Sequence, residues 1–134
     1  MTLIATAVGP VAQQYGGRGS VVIVDLDFTA VASTTYRLSA LLGNLGMAPT
    51  IGPNADAPVV KLQVLDSTGT ASSVAAVAAA AGSLGTPVVG YTAADWAAPS
   101  SGGYHLQLVA GGVAANSISS TFPPDSVQLS VITV

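Results

Sequence analysis

Charge is what this chain has least of. Only 7% of its 134 residues are charged, where a typical soluble domain carries about 25%. Glutamate is absent. The acids are Asp25, Asp27, Asp56, Asp66, Asp95 and Asp125, the bases Arg18, Arg37 and Lys61, and the net charge is −3. Three bases cannot neutralise a phosphate track, and none sits in a basic patch beside aromatics, so nucleic acid is not an expected partner. A free monomer stays soluble by covering itself in mixed charges. Here that surface must be Ala, Gly, Ser, Thr and apolar residues, which fits a protomer covered in an assembly or a setting that penalises charge.

Cysteine is also absent. That excludes disulfide frameworks, thiolate zinc sites and Cys nucleophiles. Residues 67–94 and 96–124 carry no acid or base apart from His105, yet Gly, Pro and Ser interrupt both windows and Ala dominates them. Neither supplies the roughly 20 predominantly apolar residues of a membrane span. The opening MTLIATAVGP has no basic region and too short an apolar run for a signal peptide. No fixed-period repeat is present, which disfavours solenoids and propellers. A single β domain over residues 1–134 is expected, large enough to fold around its own core.

What is present is mostly β-pattern. Residues 20–29, SVVIVDLDFT, are the longest such run and are read as a central strand. Alternation places Val22, Val24, Leu26 and Phe28 on one wholly apolar face, with Val21, Ile23, Asp25 and Asp27 on the other. Further strands are expected at 2–8, 59–66, 87–92, 104–113 and 126–134, with a short edge strand at 117–121. In 104–113, His105, Gln107 and Val109 share one face, and Tyr104, Leu106 and Leu108 the other. Residues 33–37 read as a polar turn or the start of a strand. Leu38, Leu41 and Leu42 have the spacing of a short helix stopped at Gly43. In 71–81, Val74, Val77, Ala78 and Ala81 follow a helical stripe, the rival being strands of small residues. Residues 66–69 form a turn, and 93–103 a loop carrying Asp95, Trp96 and Pro99. Residues 43–58 hold Pro49, Pro53 and Pro58 and read as a long irregular arm, of the kind that is often functional. Leu45, Met47 and Ile51 lie in it with no evident core to join. Six or seven strands with one or two short helices predict an all-β sandwich or barrel.

Motifs for chemistry are sparse. Gly16, Gly17 and Gly19 flank Arg18, but the segment leads into a strand, whereas a phosphate cradle leads out of one into a helix. Asp25 and Asp27 emerge on one face roughly 7 Å apart, and could serve as calcium ligands or an acid/base pair. No EF-hand spacing completes such a site, so a solvated strand end is favoured and no metal is assigned. His105 is the only histidine, and no G-x-S-x-G elbow surrounds any serine. No enzyme activity and no cofactor are therefore expected. Trp96 with Tyr91, Tyr104 or Tyr15 could stack a sugar, or could anchor a core or an interface.

In size, β-pattern, richness in Ala, Gly, Ser, Thr and Val, absence of Cys and acidic balance, the chain resembles the small capsid decoration (cement) proteins of tailed bacteriophages. The resemblance implies a homo-oligomer, a trimer or dimer, that sits on the outer capsid surface of the virion and clamps major capsid protein subunits. It implies synthesis in the host cytoplasm, and no nucleic-acid or membrane partner. The expected contacts are Leu45, Met47, Ile51 and Trp96. The alternatives are a carbohydrate-binding or host-adhesion domain, another virion (tail) subunit, and a hydrolase using His105.

Overall fold

Alternation of apolar and small polar residues, rather than helical spacing, decides the fold. The computed structural model describes residues 1–9, 13–15, 19–47, 50–51, 59–79, 86–87, 90–113 and 120–134. Among them are twelve strands: β1 (Thr2–Gly9), β2 (Gln13–Tyr15), β3 (Gly19–Ala30), β4 (Thr35–Leu42), β5 (Thr50–Ile51), β6 (Val59–Leu65), β7 (Ala71–Ala79), β8 (Thr86–Pro87), β9 (Gly90–Ala97), β10 (Gly102–Val113), β11 (Ser120–Phe122) and β12 (Val127–Thr133).

Eight long strands make two antiparallel four-stranded sheets, β1-β12-β4-β9 and β3-β10-β6-β7. The sheets pack face to face, with β1 against β3 along one side and β7 against β9 along the other. Among the described residues no closed barrel forms, so the fold is a sandwich. Counting the long strands alone, the order is 1-8-3-6 over 2-7-4-5, the double Greek key of a jelly roll. The four short strands lie in the connections at one end and join as a third sheet, β2-β11-β5-β8. Among the described residues no helix is long and apolar enough to cross a membrane.

The core lies between the two large sheets. Leu38, Leu42, Leu62, Leu106, Leu108, Leu129, Val127 and Val131 are fully buried, each stabilising the fold by about 1.5–3 kcal/mol relative to exposure. At the end opposite the third sheet, Phe28, Tyr36, Trp96 and Tyr104 form an aromatic cluster with ring centroids 4.9–6.2 Å apart. Both tyrosine hydroxyls are satisfied there. Tyr104 donates to the Ser100 carbonyl at 2.7 Å, and Tyr36 accepts from the Val31 amide at 2.9 Å. The turns at that end are tied together by Ser33 N–H to Ala98 O, 2.8 Å, and Ala98 N–H to Thr34 O, 3.1 Å.

Several expectations need correction. Residues 38–42 belong to β4, where Leu38, Ala40 and Leu42 point inward and Leu41 outward, so the three leucines fall on two strand faces rather than one helical stripe. Residues 71–79 form β7. Val74 and Val77 are both skipped in its register with β6, where Leu62 pairs with Ala75 and Gln63 with Ser73, and Val60 with Ala78 and Lys61 with Ala76. An extra residue at each bulge resets the period of two, and this produces the three-residue spacing that mimics a helix. β9 runs through Ala97, so Trp96 is on a strand and only residues 98–101 remain as the turn. The expected helices reduce, among the described residues, to one 3₁₀ turn at Asn44–Gly46.

Among the described residues β3 pairs with β10 alone, so it is an edge strand, not a central one. Its faces also shift. Val24 pairs with Leu108 and Val22 with Val109, leaving Ile23 as an extra residue. Ile23 and Val24 are both buried, while Val22 is 45% exposed. Across the same bulge Val109 is buried, unlike the half-exposed His105 and Gln107. β11 is interior to its small sheet rather than at an edge, and β12 lies between β1 and β4, fully engaged within its own chain.

Candidate functional site

The outer face of β3-β10-β6-β7 carries a polar chain. Direct cross-strand register sets Asp27 opposite His105 and Asp25 opposite Gln107, and Gln107 opposite Gln63 on β6. Neighbours across a ladder stand about 5 Å apart, so polar side chains on one face meet. His105 Nδ1 lies 2.6 Å from Asp27 Oδ1 and 3.2 Å from Asp25 Oδ2. Because a carboxylate accepts, Nδ1 carries the hydrogen in this arrangement. Gln107 Nε2 donates to the other Asp25 oxygen at 3.0 Å, and Gln63 Nε2 to Gln107 Oε1 at 2.9 Å. The donor atoms of Asp25, Asp27 and His105 all lie within 4.8 Å of one another. A pocket of about 360 Å³ opens beside them, lined by Asp27, Thr29, Ser67, Tyr104 and His105 among others. The two carboxylates are thus joined by an imidazole that sequence spacing could not place. Among the described residues, the hydrogen-bond partners of the His105 ring are Asp25 and Asp27.

The opposite outer face, on β1-β12-β4-β9, differs in kind. Register and alternation place Val8, Gln128, Leu41 and Tyr91 in one row across it. Thr6, Ser130, Ser39 and Ala93 form the next, and Leu3, Ile132, Arg37 and Asp95 a third. Its one ion pair is internal to the face, with Arg37 Nε donating to Asp95 Oδ1 at 2.9 Å. That hydrogen bond, and then the carboxylate's charge, hold the Arg37 guanidinium above its ordinary range. Tyr91 is 64% exposed, Leu3 59% and Val8 47%. Ile4, an extra residue at a bulge of β1, is exposed beside them.

Leu45 and Met47 are exposed. Leu45 sits in the left-handed region at φ 57°, within the 3₁₀ turn. The Gly43 and Asn44 amides both donate to the Ser126 carbonyl, at 2.9 and 3.0 Å, which ties the chain after β4 to the start of β12. The backbone of Ile51 lies in β5; its side chain, and residues 48–49 and 52–58 of the expected arm, lie outside the described residues, as does the 16–18 glycine segment. Trp96 is half-buried in the aromatic cluster rather than displayed in a loop. Tyr91 shows the face opposite to Trp96 on β9, and Tyr104 is buried. Trp96 and these tyrosines therefore do not form one exposed sugar-stacking platform. The side chain of Tyr15 lies outside the described residues.

The 66–69 turn forms as expected, closed by Gly69 N–H to Asp66 O at 3.0 Å. Asp66 Oδ1 accepts from the Thr68 hydroxyl at 2.6 Å and from the Thr68 and Thr70 amides at 2.9 Å each. These bonds, the Thr68 hydroxyl first, hold the Asp66 carboxyl below its ordinary range.

No protein-family model matches the chain, and no curated protein is significantly similar to it.

Proposed function

We propose that the chain is a structural, self-associating virion protein of the capsid exterior, a decoration or cement subunit that holds neighbouring major capsid subunits together. The observation that carries this reading is the inequality of its two outer faces. One bears Asp25, Asp27, His105, Gln107, Gln63 and Lys61, which keep a surface wet. The other offers exposed Leu3, Ile4, Val8 and Tyr91 with a single self-neutralised ion pair. Large apolar side chains exposed on one face, next to a polar opposite face, support a surface used for association. The jelly-roll strand order is compatible, since capsid domains use it, but lectins and cupins do too, so that support is by analogy of fold.

Energetics favour multiple contacts over a single pair. Burying the remaining exposed area of four or five apolar side chains yields on the order of 5 kcal/mol, near the lower limit of the roughly 4–15 kcal/mol cost of association. One such face alone binds weakly. A subunit held by several neighbours gains from the raised effective concentration at each further contact. That is the regime of a shell.

Because the chain has no cysteine, single introduced thiols report coverage directly. Tyr91→Cys and Gln63→Cys place one thiol on each face. On raising the concentration into the assembled range, labelling by a bulky maleimide should slow at Tyr91→Cys and stay fast at Gln63→Cys. Equal labelling of both at all concentrations contradicts the reading.

A further inference from the structure

The geometry points to a second property on the wet face: we propose that Asp25, Asp27 and His105 form a binding site for a divalent transition-metal ion of the zinc class. Three observations separate this cluster from a solvated strand end. Its third member is an imidazole from a different strand, and imidazole with carboxylate oxygen suits zinc-class ions, whereas calcium takes six or more oxygens. Its composition is weighted to acid: two carboxylates face one imidazole. The nearest basic side chain on this face among the described residues, Lys61, lies beyond Gln63 in register with Val109. The third is the adjoining pocket, which reaches Asp27 and His105 and leaves room for water or an exogenous ligand in the remaining coordination position.

The site is built on paired strands rather than loops, which fixes the donors' backbones. Gln107 holds the far oxygen of Asp25, itself held by Gln63, and so directs Oδ2 toward His105. Such outer hydrogen bonds orient ligating carboxylates in metal sites. The donors are already gathered. His105 Nδ1 stands 2.6 and 3.2 Å from the two carboxylate oxygens, whereas donors about 2.0–2.2 Å from a common zinc ion stand roughly 3.3–3.6 Å apart in a tetrahedron. Opening the Nδ1–Asp27 contact needs only a rotation of the well-exposed Asp27 side chain. Metal binding replaces the proton on Nδ1, which leaves to solvent.

The test is titration of the intact chain with zinc chloride by calorimetry, with magnesium and calcium chlorides as comparators. The expected result is one zinc ion per chain, bound at least tenfold more tightly than either comparator. Affinity should fall at least tenfold in both His105→Ala and Asp27→Asn, with unchanged circular dichroism in these exposed-site variants. Cobalt(II) should give the visible absorption of a four-coordinate centre, lost in His105→Ala. Absence of stoichiometric zinc uptake by the wild type, or uptake undiminished in His105→Ala, overturns the proposal.

Discussion

Trp96 stands edge-on to Tyr104 with ring centroids 4.9 Å apart, bridging the two large sheets at the end where their turns are stitched together. Trp96 is the chain's one tryptophan, and this contact makes it a pillar of the core. Trp96→Ala should lower stability by about 3 kcal/mol, read from urea unfolding. The same indole is a built-in reporter: its emission should shift to the red in step with loss of circular dichroism. A Trp96→Ala variant as stable as wild type would contradict this placement.

The interior between the sheets makes a second prediction. Leu38 on β4 and Leu106 on β10 are fully buried, and neither belongs to the aromatic end. Leu38→Ala and Leu106→Ala should each cost about 3–5 kcal/mol, the transfer loss plus an unfilled cavity. Tyr91→Ala, by contrast, removes an exposed ring from the outer face and should change monomer stability by less than about 0.5 kcal/mol. Thermal denaturation of the three variants separates core from surface.

Asp66 supplies a pH signature. Its folded carboxyl titrates below the unfolded one because the Thr68 hydroxyl and the turn amides bind the ionised form. Its contribution to stability is therefore present above the unfolded value of about 4 and is lost as pH falls through the folded value. Asp66→Asn should flatten the stability–pH curve below about pH 5 and leave the neutral limb parallel to wild type. A wild-type curve already flat in that acid window would contradict the assignment.

Leu45 holds a backbone conformation that L residues avoid. Leu45→Gly relieves that strain and should stabilise the monomer, or leave it unchanged, within about 1 kcal/mol. Under the assembly account the same substitution removes an exposed apolar contact of the arm and weakens self-association. Assembled mass should therefore fall while the melting temperature rises or holds.

Much of the sandwich was legible because period-two alternation is a local property. The runs at Val59–Leu65 and Val127–Thr133 carried it without interruption. Where reading failed, a bulge had reset the phase: at Ile23 on β3, opposite Val109, and at Val74 and Val77 on β7. A bulge leaves no sequence signature beyond two neighbouring apolar residues. The second half of β9 was hidden differently, because Ala93, Ala94 and Asp95 have weak strand propensity and are held by pairing with β4. The site shows the same limit. Asp25 and Asp27 were visible as a same-face pair, but only strand pairing reveals that His105 lies between them. The paired rows of the β1-β12-β4-β9 outer face likewise depend on register between β1, β12, β4 and β9, which no single segment encodes.

The most direct test of the central claim is the mass of the chain in solution, by light scattering over a concentration series, for wild type beside a Val8→Arg/Tyr91→Arg double variant. The account predicts a wild type that self-associates to a dimer, trimer or larger species. The double variant, with charge on the apolar face and an unchanged melting temperature, should remain monomeric. A wild type monomeric at every concentration, or a double variant that assembles identically, would contradict it.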